Sequence, residues 1–208
     1  MSNQNTVELI GFYGGDDSHA MSAWTSTARE LTDDKRERMQ KMLSTLAENG
    51  HHTPFEKSCL HFLVTCDTAS HIHIIKHRIG VSVNAESARY KELKEDKYYL
   101  PYDWPDHIRN DFEQGVIKSY KDYHRLLSEL EVSGISRKRA KESARFVLPY
   151  SNQLTLDVSF NFRSFMHFQG LRNKPNAQDE IRMIAQQMLE LIRGTKQFDM
   201  SLEAFGYA

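Results

Sequence analysis

Apolar residues recur along this chain at two different periods, and the changes of period mark out its elements. Val7 to Tyr13 reads as a short strand ending at Gly14-Gly15, and Ala28 to Ala47 has helical composition with Met39, Met42, Leu43 and Leu46 on one face. Gly50 stops that helix, in the usual C-terminal role of glycine. Cys59 to Thr65 is rich in apolar and β-branched residues and predicts a buried strand, and Ala69 to Lys76 predicts a helix leading into IIKHRIGVSVNAESARYKE, residues 74–92. From Pro105, a good first-turn residue, Ile108, Phe112, Val116, Tyr120, Tyr123 and Leu127 recur every three to four residues, which predicts a long amphipathic helix up to Gly134. A second helix follows Ser136, whose side chain can cap it, and runs to Leu148 before Pro149. Residues 154–160 alternate strictly, the period of a half-buried strand. After Pro175, the positions Ile181, Ile184, Ala185, Met188, Leu191 and Ile192 mark a last long helix. Strands and helices interleave without a βαβ rhythm, a glycine-rich nucleotide fingerprint or a repeat. The expectation is therefore an α+β fold, a single domain over residues 1–208 with a largely antiparallel sheet flanked by long helices.

Composition narrows the function classes. The 208 residues suit one domain with a real core, and no Pro/Gly/Ser-rich linker divides them. Charged residues make up 26% of the chain yet cancel to a net charge of −1, so the overall balance favours neither nucleic acid nor an acidic membrane. Any phosphate binding must be local. The two cysteines, Cys59 and Cys66, have no metal spacing and imply neither a disulfide framework nor a zinc ribbon, which fits a reducing cytoplasm. MSNQNTVELIGFYGG carries no basic region followed by an apolar stretch, and no later segment is apolar for long enough to span a bilayer. The expectation is a soluble, cytoplasmic protein with no membrane partner.

Three constellations carry candidate chemistry. In residues 74–92, Lys76, His77, Arg78 and Arg89 surround Ser82, Asn84 and Ser87. Guanidinium groups bind phosphate bidentately and backbone N–H groups complete such a cradle, although an exposed helix end favoured by the dipole has the same composition. His71, His73 and His77 raise a zinc reading, because His73 and His77 lie four apart. No HExxH glutamate accompanies them and Lys76 and Arg78 repel a cation, so no metal is expected. In NFRSFMHFQGLRNKPNAQDEI, residues 161–181, Asn161, Arg163 and Arg172 interrupt Phe162, Phe165 and Phe168. That pattern fits either a ring sandwich with a phosphate-binding rim or a helix with core aromatics and snorkelling arginines. No GxSxG is present, and neither cysteine has a histidine partner in sequence.

Taken in order, GHHTPFE, KHRIGVSVNAESARY, SARFVLP and NFRSFMHFQGLRNKPNAQDEI make the chain resemble the flavin-dependent thymidylate synthases over roughly residues 45–193. That family methylates dUMP using reduced FAD and methylenetetrahydrofolate. Its signature is Arg-His-Arg, seven residues, Ser, then a small residue and Arg-Tyr. Here Lys76-His77-Arg78 stands for the triplet, eight residues (79 to 86) intervene, and Ser87-Ala88-Arg89-Tyr90 closes the motif. The extra residue lies between Arg78 and Asn84, and Ala85 stands where the family has glutamate.

The resemblance implies that His51, Thr53, Glu56, His77, Arg78, Ile79, Asn161, Arg163 and His167 bind the flavin. His73, Lys76, Ser87, Arg89, Arg145 and Arg172 would bind dUMP, Arg145 reaching its phosphate from another subunit of a homotetramer. His167 stands where the family often has asparagine, and Asn176 where it often has histidine. Arg172 and Arg89 take the catalytic places, stabilising an enolate-like electron distribution in the uracil without a cysteine adduct. NADPH would reduce the FAD, the folate would donate its methylene, and hydride transfer from the flavin would end the reaction. Ser87 is expected to bind rather than attack. The alternative is a family member with altered output, such as hydroxymethylation of a pyrimidine deoxynucleotide, motivated by the substitutions and the longer loop. A non-enzymatic nucleotide- or nucleic-acid-binding module is the remaining alternative, and the near-zero net charge argues against it.

Overall fold

The computed structural model describes residues 4–207, so the leader expectation falls partly outside the described residues. In chain order the elements are β1 (Thr6–Tyr13), α1 (Asp16–Trp24), α2 (Asp33–Glu48), β2 (Cys59–Asp67), α3 (Thr68–Ile75), β3 (Val81–Ala85), α4 (Asp106–Val132), α5 (Arg137–Ala144), β4 (Gln153–Phe160), α6 (Phe162–Arg172), α7 (Asp179–Thr195) and α8 (Asp199–Ala204). Short 3-10 turns at Thr53–Glu56 and Arg145–Val147 precede β2 and follow α5. The strands form one four-stranded antiparallel sheet in the order β1-β2-β4-β3, so the fold is α+β with long helices, as the periodicity implies. Alternation works as expected in the two central strands. β2 buries Leu60, Phe62, Val64 and Cys66, and β4 buries Leu156, Val158 and Phe160.

Several elements differ from the sequence expectation, among them α8 beyond the expected last helix and four with a local reason. α2 begins at Asp33 rather than residue 28, because Thr32 is extended and Asp33 and Asp34 place negative charge in the first turn. α5 ends at Ala144 rather than Leu148; Leu148 is extended, the conformation that a following proline favours. α1 has no apolar stripe to announce it and buries His19 and Ala20. β3 is only five residues long, a run short enough to read as a loop, yet Val81 and Val83 alternate with the exposed Ser82 and Asn84 and it forms an edge strand beside β4.

The described chain divides into two compact units. Unit 1 comprises residues 4–6, Thr65–Ile74 and Asn84–Leu156. Its core joins the apolar stripe of α4 to α5: Tyr123 and Leu127 pack with Ala140, Ala144, Ala88 and Leu93. The Ser136 hydroxyl accepts the Arg139 N–H at 3.4 Å, which starts α5 as its residue type predicts.

Unit 2 comprises Val7–Val64, Ile75–Val83 and residues 157–207, and its core is aromatic. Phe55, Phe62, Phe160, Phe162, Phe165, Phe168 and Phe198 are all fully buried, and burial of each contributes about 1.5–3 kcal/mol. Phe162, Phe165 and Phe168 are therefore core residues, which corrects the possibility that they sandwich a ligand ring. His19 is enclosed among them and held between the Ser201 and Ser58 hydroxyls at 2.8 and 2.9 Å, with burial lowering its pKa to about 4.

Candidate active-site residues

Unit 2 carries the end of α3 through Lys76, His77, Arg78, Ile79 and Gly80 into β3. His77 is buried, its ring edge-on to Phe168 at 5.1 Å and next to His167 at 5.9 Å. Arg172, the last residue of α6, donates its Nε–H to His77 Nε2 at 3.1 Å. The accepting nitrogen keeps its lone pair, so in this arrangement the imidazole is neutral with its proton on Nδ1. The terminal nitrogens of Arg172 make no hydrogen bond among the described residues.

The turn after His77 is clamped onto the start of α6. Asn161 Oδ1 accepts the Ser164 N–H at 2.8 Å and caps the helix, while its backbone N–H donates to the Gly80 carbonyl at 2.9 Å. The Ser164 hydroxyl donates to the Ile79 carbonyl at 2.7 Å. Gly80 has φ +65°, and a Cβ there would lie 2.3 Å from Asn161 Nδ2, so this turn requires glycine. The segment between Arg78 and Asn84 thus forms a tight turn that leads into β3. One result is that Ile79 stands 87% exposed, at the wall of a groove of about 560 Å³.

Met166, Leu171 and Phe205 complete the apolar wall of that groove, and His52, Arg163, His167 and Lys174 supply its polar groups. Arg163, His167, Leu171 and Lys174 follow one another at three to four residues, so a single face of α6 and its extension lines the groove. Arg163 is paired with Glu56 of the 3-10 turn at 2.5 Å, both side chains being partly exposed. An exposed pair of this kind contributes roughly 0–1 kcal/mol, so Arg163 can exchange Glu56 for a ligand anion at little cost.

Unit 1 holds a pocket of about 610 Å³. Thr68, His71 and Ile72 of α3 line it, as do Glu86, Ser87 and Arg145. Ser87 begins a turn: its hydroxyl accepts the Arg89 N–H at 3.3 Å and its carbonyl accepts the N–H groups of Tyr90 and Lys91. Among the described residues its hydroxyl makes no hydrogen bond to a basic side chain. Glu86 is engaged by Lys91 Nζ at 2.5 Å. Arg89 does not line the pocket; its Nε donates to Glu142 at 2.6 Å and its guanidinium lies over the Tyr90 ring. Arg137 and Arg139 are likewise paired with glutamates, whereas Arg145 has no ion pair among the described residues.

The family model of the thymidylate synthase complementing protein matches residues 8–195. The chain belongs to this family. It is accordingly an enzyme, an FAD-dependent methyltransferase. A flavin-dependent thymidylate synthase from Pseudothermotoga lettingae is 33% identical over 186 residues, which cover 86% of this chain and 80% of that protein. One from Kosmotoga olearia is 31% identical over 198 residues, covering 86% of this chain and 81% of that protein. Among solved structures, the UMP/dUMP methylase PolB from Streptomyces cacaoi bound with 5-Br dUMP superposes with TM-score 0.80 at 29% identity, covering 97% of this chain and 94% of that one. The same methylase bound with 5-Br UMP gives TM-score 0.78 at 27% identity.

The groove of unit 2 fits the cofactor of a flavin-dependent thymidylate synthase. A flat ring requires apolar walls and a pyrophosphate requires cations, and ligand pockets run to about 300–1,000 Å³. Of the positions expected from the family motifs, Ile79, Arg163 and His167 line this groove, with Glu56 reaching Arg163. His51 and Thr53 are exposed and do not line it, and Asn161 serves as cap and clamp. His77 and Arg172 form a pair, while Lys76 and Arg78 are exposed beside it. In unit 1, Ser87 and Arg145 of one chain share a pocket, and His73 and Arg89 do not line it.

Sequence reasoning missed His52, Lys174 and Phe205 in the groove and His71 in the pocket. Lys174 was legible once α6 is read as a helix, from its spacing to His167 and Leu171. Phe205 lies in the short C-terminal α8 region, which has no signal of this kind.

Proposed function

We propose that this protein is a thymidylate synthase that methylates C5 of dUMP to give dTMP, without an enzymic cysteine nucleophile. FAD is the redox cofactor, methylenetetrahydrofolate the carbon donor and NADPH the reductant, and the protein works in the cytoplasm as a homotetramer with shared sites. The observation that carries this reading is the position of its two cysteines. Cys66 is fully buried in β2, with burial and then the neighbouring Asp67 pushing its thiol far above the usual range. Neither Cys66 nor Cys59 lines the pocket or the groove. A thiolate adding to C6 of uracil has no source here, which leaves electrostatic activation.

The unpaired guanidinium of Arg145 and the hydroxyl of Ser87 bind the dUMP phosphate and sugar, assisted by Arg89, His73 and Lys76. Arg172 polarises a uracil oxygen through the terminal nitrogens that its bond to His77 leaves available, and that bond fixes the plane of the guanidinium. Bound FAD supplies the two-electron chemistry. Ile79, Met166 and Leu171 shield its ring from water, while Arg163, His167, Arg78, Asn161, His51 and Thr53 hold its polar parts.

The test is incubation of the purified protein with dUMP, methylenetetrahydrofolate, FAD and NADPH, followed by mass analysis of the nucleotide. Flavin-dependent dTMP supports the reading, and dUMP returned unchanged by flavin-loaded protein sinks it. A product carrying one additional oxygen assigns the hydroxymethylating alternative. A second reading is favoured by the PolB structures, which describe a methylase of UMP as well as dUMP. Methylation of UMP at a kcat/KM close to that of dUMP would assign this broader substrate range.

A further inference from the structure

The unit 1 pocket contains a group that the motif match leaves unassigned. Positions i, i+3 and i+4 share a helix face, and α3 accordingly directs Thr68, His71 and Ile72 at the pocket. His73, two residues on, falls on another face. The His71 ring is half-buried, and neither of its nitrogens has a hydrogen-bond or ion-pair partner among the described residues. Burial lowers its pKa from the ordinary histidine value, which keeps the free imidazole neutral at pH 7.

The other charged or titratable groups lining the pocket are Glu86, Arg145 and Tyr150. The Glu86 carboxylate already holds Lys91. Among the described residues, Arg145 is therefore the one unpaired cation on the lining. A phosphate monoester carries about 1.5 to 2 negative charges at pH 7, more than Arg145 brings to this lining, so a second cationic group on the lining adds to the attraction of Arg145 and of the assisting Arg89 and Lys76.

We propose that His71 takes up a proton when a nucleoside monophosphate binds and, as the imidazolium, holds the phosphate together with Arg145. The inference rests on the nucleotide reading given above and adds to it a second phosphate ligand from α3. No bond other than the N–H bond forms; the proton comes from solvent.

Calorimetry on the full-length protein tests this, with dUMP as ligand at pH 6.5 and pH 8, in buffers of different ionisation enthalpy, for wild type, His71→Gln and His71→Ala. Loss of a charge-assisted bond raises the dUMP Kd about tenfold at pH 6.5 and less at pH 8. Proton uptake on binding falls in both variants relative to wild type. Binding of 2′-deoxyuridine, which lacks the phosphate, stays within about twofold of wild type, since no phosphate contact is lost. His71→Gln keeps the side-chain volume and serves if the alanine variant melts early. A glutamine variant with wild-type affinity and proton uptake overturns the proposal, as does an equal weakening of dUMP and deoxyuridine. Wild type that binds no dUMP overturns the nucleotide reading itself and this proposal with it; wild-type binding with an unaffected His71→Gln overturns this proposal alone.

Discussion

Arg145 in unit 1 and Arg163 in unit 2 are both exposed arginines on the lining of a cavity, yet they meet a ligand on different terms. Arg145 has no ion pair among the described residues, so an anion gains its full attraction at once. Arg163 is held by Glu56, and a ligand must first displace a carboxylate. The contrast extends to the surrounding groups. In unit 2, His77 receives a bond from Arg172, Asn161 caps α6, and Ser164 holds the turn at Ile79. In unit 1, His71 and Arg145 have no hydrogen-bond or ion-pair partner among the described residues. A site whose polar groups satisfy one another is ordered before the ligand arrives, and a site that leaves them unpaired relies on the ligand to complete it.

Breaking the paired side at Arg172 has the largest expected effect. Arg172→Ala removes the group assigned to the uracil oxygen and leaves His77 without that donor, so kcat falls about 10²- to 10³-fold with dUMP saturating. Turnover within tenfold of wild type in flavin-loaded protein would remove Arg172 from the reaction. On the unpaired side, Arg145→Ala raises the dUMP Kd about 10- to 100-fold, the worth of a charge-assisted bond, with little change in FAD affinity. Equilibrium binding of both ligands checks this, and a loss shared equally by FAD would contradict the separation of roles.

Smaller effects sharpen the comparison. Gly80→Ala strains a positive φ and drives a Cβ into Asn161, at a cost of about 1–3 kcal/mol in chemical denaturation. An unchanged denaturation midpoint would mean that the turn relaxes and the clamp on α6 is not rigid. Glu56→Gln frees Arg163 from its carboxylate; the exposed pair is worth about 1 kcal/mol at most, so FAD should bind up to about fivefold more tightly. Weaker FAD binding in this variant would show Glu56 to be a cofactor contact in its own right.

Much of this arrangement was legible beforehand. The 3.6 period of α4 and α7 and the alternation in β4 carry enough residues to place those elements, and four motifs in register identify the family. The misses have local causes: α1 has no amphipathic pattern and buries mainly His19 and Ala20, while β3 alternates Val81 and Val83 with Ser82 and Asn84 over only five residues, a run too short to stand out from a loop. At the site, the aromatic and cationic residues of 161–174 allowed two readings because both a core stripe and a binding face repeat on the same helix. The structure resolves this by putting Phe162, Phe165 and Phe168 into the core while Arg163, His167 and Leu171 line the groove.

The sequence by itself determined which residue types are available and in what order, because helical and strand periods and motif spacings are local properties of the chain. It did not determine that His71 rather than His73 lines the pocket, that Arg89 is taken up by Glu142 while Arg145 is left unpaired, or that Glu56 holds Arg163. The partners in those ion pairs lie 53 and 107 residues apart along the chain. Coulombic and hydrogen-bond energies depend on distance in space and on burial, and only the tertiary structure sets either one.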